Sequence, residues 1–394
     1  MSLQTAPAPA ARTTPRARCK KLVVFFTRGM SLDGWQRAGI LDREMALYHG
    51  LSADVDRFAF VTYGGVEELK WAATGQVPRD AEILPNTWGL GSNLYSVLAP
   101  WLHRRSLRHA SVFRTNQING AWVGVIAKLL FRKPLVVRCG FLWADFVSRL
   151  TDSRWRHVVA RALERLIVRS ADRIVVAAPA DADVIVKRYR VGRERITVVP
   201  NYVDTARFRP LAGVAPEPGR VTFIGRFEAQ KNPIALVDAV AGIPGITLVL
   251  IGDGPLRSAL EARSRRMGVN LELPGRLPHS ELPAWLSRSQ VFVLPSLYEG
   301  NPKALVEAMA CGVPVVGARV PGIAEIIATG ENGVLCGTSA PEIRDALKQV
   351  LGDEGLRERL RRGGIAYVRD RCSLDAAVVR ERAVLSSVAT PVGP

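Results

Sequence analysis

Short apolar runs rich in β-branched residues alternate along this chain with longer stretches in which apolar side chains return every three or four positions. The first pattern belongs to strands buried on both faces and the second to helices laid over them, so the alternation predicts parallel α/β sheets. In the first half the predicted strands are Lys21–Thr27, Phe58–Thr62, Val112–Thr115, Leu135–Arg138, Arg173–Ala177 and Ile196–Val199. Helices are predicted at Ile40–Leu51, Ala121–Phe131 and Phe146–Ser170. A Pro- and Gly-rich linker follows from Pro200 to Pro218, and then the pattern restarts. Its second set of strands is Val221–Gly225, Thr247–Ile251, Leu271–Leu273, Val291–Leu294 and Val315–Val316. The helices between them lie near Ile234–Val240, Leu256–Met267, Ser280–Ser287 and Lys303–Ala310. Three more helices, near 341–352, 355–369 and Leu374–Ser386, complete the chain.

A length of 394 residues suits two domains better than one core. The expected division is a tail at 1–18, a Rossmann-like domain at 19–200, a second at 201–370, and a helical end at 371–394 free to cross back to the first domain. Two doubly wound units in series leave a cleft between them, and ligands of such sheets sit beyond the carboxyl ends of the strands.

Composition adds bounds to this picture. The Ala/Pro/Thr/Arg-rich tail Met1–Arg18 has no acid and no apolar centre, so it does not read as a secretory signal; a disordered tail is expected, with an organelle transit segment as the alternative. No run approaches the roughly 18–20 apolar residues of a membrane span, and a cytoplasmic protein is expected. The five cysteines are scattered without a C-x-x-C pair, which points to a reducing compartment. The five histidines have no ligand spacing either, so no metal is expected.

Charge is the larger signal. The net +18 is concentrated in residues 1–200, with 31 Lys and Arg against 16 Asp and Glu. The remainder holds 23 against 20. An anionic partner for the first half follows: nucleic acid, a phosphorylated substrate or an acidic membrane. Nucleic acid is not expected, because no recognised binding module is present. Residues 101–173 carry 15 cations against 4 acids. Within them Arg154–Arg169 reads as an amphipathic helix, with Trp155, Val159, Ala162, Leu163 and Leu166 on one face and Arg154, Arg161 and Arg165 on the other. A second apolar and aromatic run, Leu94–Leu102, adjoins Arg104, Arg105 and Arg108. A helix packed on a parallel sheet is amphipathic in any case. Basic and aromatic groups together nevertheless suit docking on the anionic inner face of the cell membrane.

Three segments carry candidate chemistry. Gly252-Asp-Gly254-Pro255 follows a strand and opens a helix, but Arg257 stands where a dinucleotide fingerprint needs its third glycine, and no G-K-[ST] follows. Its N–H groups suit a phosphate or ribose, although a plain structural turn explains it more simply. In Gly225-Arg226-Phe-Glu-Ala-Gln-Lys231-Asn-Pro233 two cations occupy a strand-to-helix loop; they can hold a diphosphate or merely be solvated. In Leu294–Val316, Glu299 stands in the loop after a buried strand and Gly300 permits close backbone approach. Pro302 begins a helix whose free N–H groups favour phosphate, and Glu307 lies about one turn inside, where it can accept from ribose hydroxyls.

Taken together, residues from about 196 to 338 resemble the family-4 retaining glycosyltransferases (glycosyltransferase group 1) of the GT-B fold, two Rossmann-like domains about a cleft. The match lies in Val198-Val-Pro-Asn-Tyr-Val-Asp204 with Arg207-Phe-Arg-Pro210, in Arg226 with Lys231, and in two glutamates separated by seven residues, Glu299 and Glu307. The resemblance implies that Arg226 and Lys231 hold the pyrophosphate of a nucleotide sugar and Glu307 its ribose. Glu299, with Gly300, Asn301 and Pro302, would meet the sugar; Gly252 and Leu277 would complete the donor site; Glu299, Arg226 and Lys231 would be catalytic. It implies transfer with retained configuration, with no metal and no cofactor, to a glycan or lipid-linked acceptor in cell-surface polysaccharide or glycolipid assembly. A non-catalytic subunit of such an assembly and a nucleotide-sugar epimerase are the alternatives. The first half departs from the family pattern: Arg28-Gly-Met-Ser-Leu-Asp-Gly34-Trp35 replaces a glycine pair, Cys139 stands nearest a customary histidine, and Tyr202 replaces a frequent glycine. Asp33, Asn116 and Arg138 are the acceptor-side candidates for the missing histidine's work.

Overall fold

The computed structural model describes residues 18–150 and 153–389, apart from the side chains of residues 149 and 150. The tail expected at 1–18 lies almost wholly outside the described residues. The strands are β1 Leu22–Phe25, β2 Phe58–Val61, β3 Glu82–Leu84, β4 Val112–Thr115, β5 Leu135–Cys139, β6 Arg173–Val176 and β7 Ile196–Val198. After the linker come β8 Arg220–Ile224, β9 Thr247–Ile251, β10 Asn270–Gly275, β11 Val291–Leu294, β12 Val315–Ala318 and β13 Val334–Cys336. They form two sheets, ordered β3-β2-β1-β4-β5-β6-β7 and β10-β9-β8-β11-β12-β13. Every pairing between these strands is parallel. Both are therefore Rossmann-like doubly wound units, as the alternating pattern predicts.

Burial on both faces explains the unbroken apolar runs. Val23 and Phe25 of β1 enter one core while Leu22 and Val24 enter the other, across the sheet. The two strands that the sequence pattern misses, β3 and β13, are three-residue edge strands. Each is too short to display a period and pairs on one side only. The single helix expected over Phe146–Ser170 is instead two, Trp143–Leu150 and Arg154–Ser170.

The chain passes between the two sheets twice, near Val203 and near Ser373, and the passes bond to each other: Val203 N–H donates to Cys372 O at 2.8 Å and Leu374 N–H to Val203 O at 2.9 Å. The second pass delivers the helix Leu374–Val388 against Leu41–Gly50 of the first half. There Glu381, fully buried, accepts from Arg114 at 2.7 and 3.3 Å and from Arg138 at 3.4 Å, and Arg114 also donates to the Tyr48 hydroxyl at 2.9 Å. Burial alone would raise the Glu381 pKa, but Arg114 and then Arg138 hold it below the usual carboxylate value.

One face of the first sheet carries an unusual outer layer. The helices Ser92–Leu102, Trp122–Phe131, Arg154–Ser170 and Trp143–Leu150 pack side by side in that order. Arg154–Ser170 buries Ala160, Glu164, Ile167 and Val168 and turns Trp155, Val158, Val159 and Leu166 outward, with Trp155 66% exposed. Leu94, Val97, Trp101, Leu129, Leu130 and Phe146 on the neighbouring helices are exposed as well. Of the apolar stripe read from the sequence, Trp155, Val159, Ala162 and Leu166 therefore face water while Leu163 is half-buried, and covering the sheet does not account for the exposed part.

Glu381→Ala leaves Arg114 buried without its partner and should cost about 3–5 kcal/mol. Arg382→Ala, on the same helix but removing a partly exposed pair with Asp54 at 2.8 Å, should cost about 1 kcal/mol or less. Denaturant unfolding that finds the two variants equal would refute the dependence on the buried pair.

Candidate active site

In the second sheet the order reverses between β8 and β11, the place where such sheets open a crevice. The two cation- and carboxylate-bearing segments noted in the sequence are the loops that leave those strands. They meet directly. Lys231 Nζ lies 2.5 Å from Glu299 Oε1, which also accepts from Ser296 Oγ at 2.7 Å. Both side chains of the pair are largely buried. Arg226 is the exposed cation of the site and pairs with Glu228 at 3.0 Å.

The helix Lys303–Ala310 begins after Pro302 with no side chain capping it, so its first N–H groups are left unclaimed by a capping side chain. Asn301 fixes this start. Its carbonyl accepts from Asn201 Nδ2 at 2.7 Å, while its own Oδ1 is buried without a partner. Gly322 supports the loop from below: a Cβ there would come within 1.9 Å of Gly300 O. Gly252 and Gly254 are explained by close packing as well, since a Cβ would meet Gly225 O at 2.0 Å and Phe227 O at 2.6 Å. The turn thus braces the Arg226 loop, and this brace is a sufficient reason for its glycines.

Glu307 is almost fully buried and accepts from His279 Nε2 at 2.9 Å; the His279 ring lies on Phe208 with centroids 4.8 Å apart. Leu277 is half-buried in the loop that follows β10.

The first half supplies the opposite wall. Gly140, just past β5, faces Gly300, whose added Cβ would lie 3.9 Å from Gly140 O. Asn116 and Arg138 line a cavity in this wall together with Lys303. Lys303 Nζ reaches across the cleft to Glu44 at 2.8 Å. Asp33 is committed elsewhere, to Trp71 Nε1 at 2.8 Å and Lys70 at 3.0 Å, and is absent from the cavity lining. Cys139 is buried with its thiol on Phe141 O at 3.1 Å, and burial raises its pKa well above the usual value. It therefore stands in the core, and its neighbour Gly140 is the residue at the cleft.

Sequence reading missed Ser296, His279, Asn201, Gly322 and the Glu44–Lys303 pair. The His279–Glu307 and Glu44–Lys303 contacts span 28 and 259 residues, so no local spacing announces them. Among the described residues no three His, Cys, Asp or Glu side chains stand together as a metal site.

The chain matches the family model described as Glycosyl transferases group 1 over residues 205–366, and Glycosyltransferase Family 4 over residues 57–207. It is 32% identical over 210 residues to a glycogen synthase of Mycobacterium tuberculosis, covering 50% of each chain. It is 33% identical over 273 residues to a D-inositol 3-phosphate glycosyltransferase of Nocardia farcinica, covering 62% of this chain and 59% of that one. The chain thus spans about half the length of the first of these curated relatives and under two thirds of the second. Solved structures share the fold at low identity. A sucrose-phosphate synthase from Thermosynechococcus elongatus superposes with a TM-score of 0.73 at 19% identity, over 93% of this chain and 98% of that one. Anabaena HepE in complex with UDP and glucose gives 0.71 at 20% identity, over 93% and 99%.

The cross-cleft pair makes a pH prediction. Burial would raise the Glu44 pKa, but Lys303 and Arg43 hold it down to about 2 from 4.5. Its contribution to stability is therefore complete above pH 4.5 and lost as pH falls toward 2. Glu44→Gln should flatten the acid side of a melting-temperature profile across that window; an unchanged acid slope would contradict the pairing.

Proposed function

The chain belongs to the group 1 glycosyltransferases, and from that premise we propose that it transfers a sugar from a nucleoside diphosphate sugar to a glycan or lipid-linked acceptor, with retention and without a metal ion. The observation that carries the reading is the meeting of Lys231, Glu299 and an uncapped helix start at the switch point of the second sheet. In the reaction the acceptor hydroxyl oxygen bonds to the anomeric carbon as the bond from that carbon to the diphosphate breaks. The hydroxyl proton passes to the departing diphosphate on the same face. Negative charge grows on the leaving phosphate, and stabilising it calls for fixed donors aimed there. Lys231 and the N–H groups at Lys303 are prepositioned for this, and Arg226 exchanges Glu228 for phosphate oxygen. Glu299, held by Lys231 and Ser296, faces the sugar, and Glu307, oriented by His279, takes the ribose hydroxyls. The HepE complex with UDP supports a panel that begins with uridine nucleotides.

We also place the enzyme on an anionic membrane in cell-surface polysaccharide or glycolipid assembly. The support is the outward apolar stripe of Arg154–Ser170 and its neighbours, flanked by the exposed Arg104, Arg105, Arg108, Arg161 and Arg165. A helix with outward Trp and Leu between arginines suits the headgroup boundary, each cation contributing roughly 1 kcal/mol near an anionic surface. Among the described residues no helix is long and apolar enough to cross a membrane.

Lys231→Ala and Arg226→Ala should each lower kcat by about 100-fold or more; the Arg226 change should leave the melting temperature nearly unchanged, whereas the Lys231 change should lower it by leaving Glu299 buried without its partner. Near-normal turnover across UDP- and GDP-linked sugars in both variants would remove the phosphate clamp from the mechanism. In co-sedimentation the protein should bind phosphatidylglycerol vesicles, bind phosphatidylcholine vesicles poorly, and release at high salt. The triple change Arg104→Glu, Arg105→Glu, Arg108→Glu should abolish that binding while sparing donor hydrolysis. Absence of binding to anionic vesicles at low salt would leave a water-borne acceptor as the reading.

A further inference from the structure

Behind Gly140 and Lys303, on the first-half side of the cleft, lies a cavity of about 190 Å³. Arg114, Arg138 and Lys303 reach it, with Asn116 and Gln117 between them, and Glu44 is the one carboxylate in its lining. The three cations are not equally committed. Arg114 is held at 2.7 and 2.9 Å by Glu381 and Tyr48. Arg138, only 8% exposed, reaches Glu381 Oε1 at 3.4 Å and Asn201 Oδ1 at 3.3 Å. Both distances are at the long limit for a hydrogen bond, and the carboxylate oxygen it touches already belongs to Arg114. A guanidinium so deeply placed with a shared counter-charge is costly unless an anion completes it. Lys303 is paired with Glu44 at 2.8 Å, yet burial still pushes its pKa down although Glu44 opposes this. Gln117 commits its carbonyl to Gly140 N–H at 2.9 Å, which leaves its amide nitrogen to donate.

We infer that this cavity is a subsite for a phosphoryl group carried by the acceptor, gripped by Arg138 and Lys303 beside the hydroxyl that attacks the donor. An arginine fork and a lysine point charge match a tetrahedral oxyanion. The phosphoryl group is a handle and undergoes no chemistry. The inference rests on the glycosyl-transfer reading, and the acceptor is either a free phosphorylated polyol or a lipid bearing the same group.

The test uses the full chain saturated with UDP or GDP, so that the diphosphate site is filled. Inorganic phosphate should raise the melting temperature beyond chloride of equal ionic strength. Arg138→Gln and Lys303→Gln should each weaken the apparent phosphate affinity about tenfold or more, with calorimetric nucleotide binding reporting that each variant is folded. If Arg138→Gln does not fold, Arg138→Lys keeps the charge beside Glu381 and removes the fork, and should weaken phosphate by a similar factor. Wild-type protein that binds nucleotide but gains nothing from phosphate overturns the subsite alone. Wild-type protein that binds neither UDP nor GDP overturns the donor reading beneath it. Phosphate stabilisation that survives in both the Arg138 and Lys303 variants also overturns the subsite. Transfer to soluble phosphorylated polyols identifies a free acceptor, and transfer only to phospholipid in vesicles identifies a lipid one. Equal transfer to unphosphorylated counterparts of both rejects the inference.

Discussion

The Glu381 carboxylate, shut away from water between Arg114 and Arg138, fixes the relation between the two ends of this chain. Three charged groups in a parallel α/β core are expensive; Arg114 and Glu381 are held as a close pair with Tyr48 accepting from Arg114, while Arg138 shares the same carboxylate at longer range. The consequence reaches beyond stability. Holding Glu381 on the first sheet brings the last helix back across the cleft and lays the second interdomain pass beside the first. It also holds Arg138 at the wall of the cavity behind Gly140. The same carboxylate therefore links the closure of the fold to the chemistry of the first-half wall.

Contacts between the two halves across the cleft include Asn201 and Ala177 with Asn301, Glu44 with Lys303, and Gly140 opposite Gly300. These land on the turn that starts the helix Lys303–Ala310 or on its first residue. That helix start is also the expected seat of the leaving diphosphate. Contacts that register the domains and contacts that would hold the donor thus share one short segment.

The outer helical layer of the first half obeys a different constraint. Ile167 and Val168 satisfy the sheet, while Trp155, Val158 and Leu166 are left to solvent on a helix rich in arginine. Such a surface is unfavourable in water alone, and it agrees with the excess of cations in residues 101–173.

The sequence alone determined the two doubly wound units, because buried parallel strands must be continuous apolar runs and their covering helices must be periodic. It also marked out the two loops that meet at the switch point of the second sheet, since loop cations after one strand and a Glu-Gly-Asn-Pro turn after another are local features. Edge strands of three residues escaped it for want of a period, and the break near residue 150 escaped it because amphipathic spacing continues across that break. Only the tertiary structure decided that Lys231 and Glu299 form one unit and that His279 orients Glu307. It alone decided that Asp33 is engaged by Trp71 and Lys70, and that Cys139 is core while Gly140 lines the cleft. Those assignments depend on partners tens to hundreds of residues apart, and on which side of a strand end each residue faces. A one-residue shift there moves a side chain from solvent to core, and no local pattern carries that information.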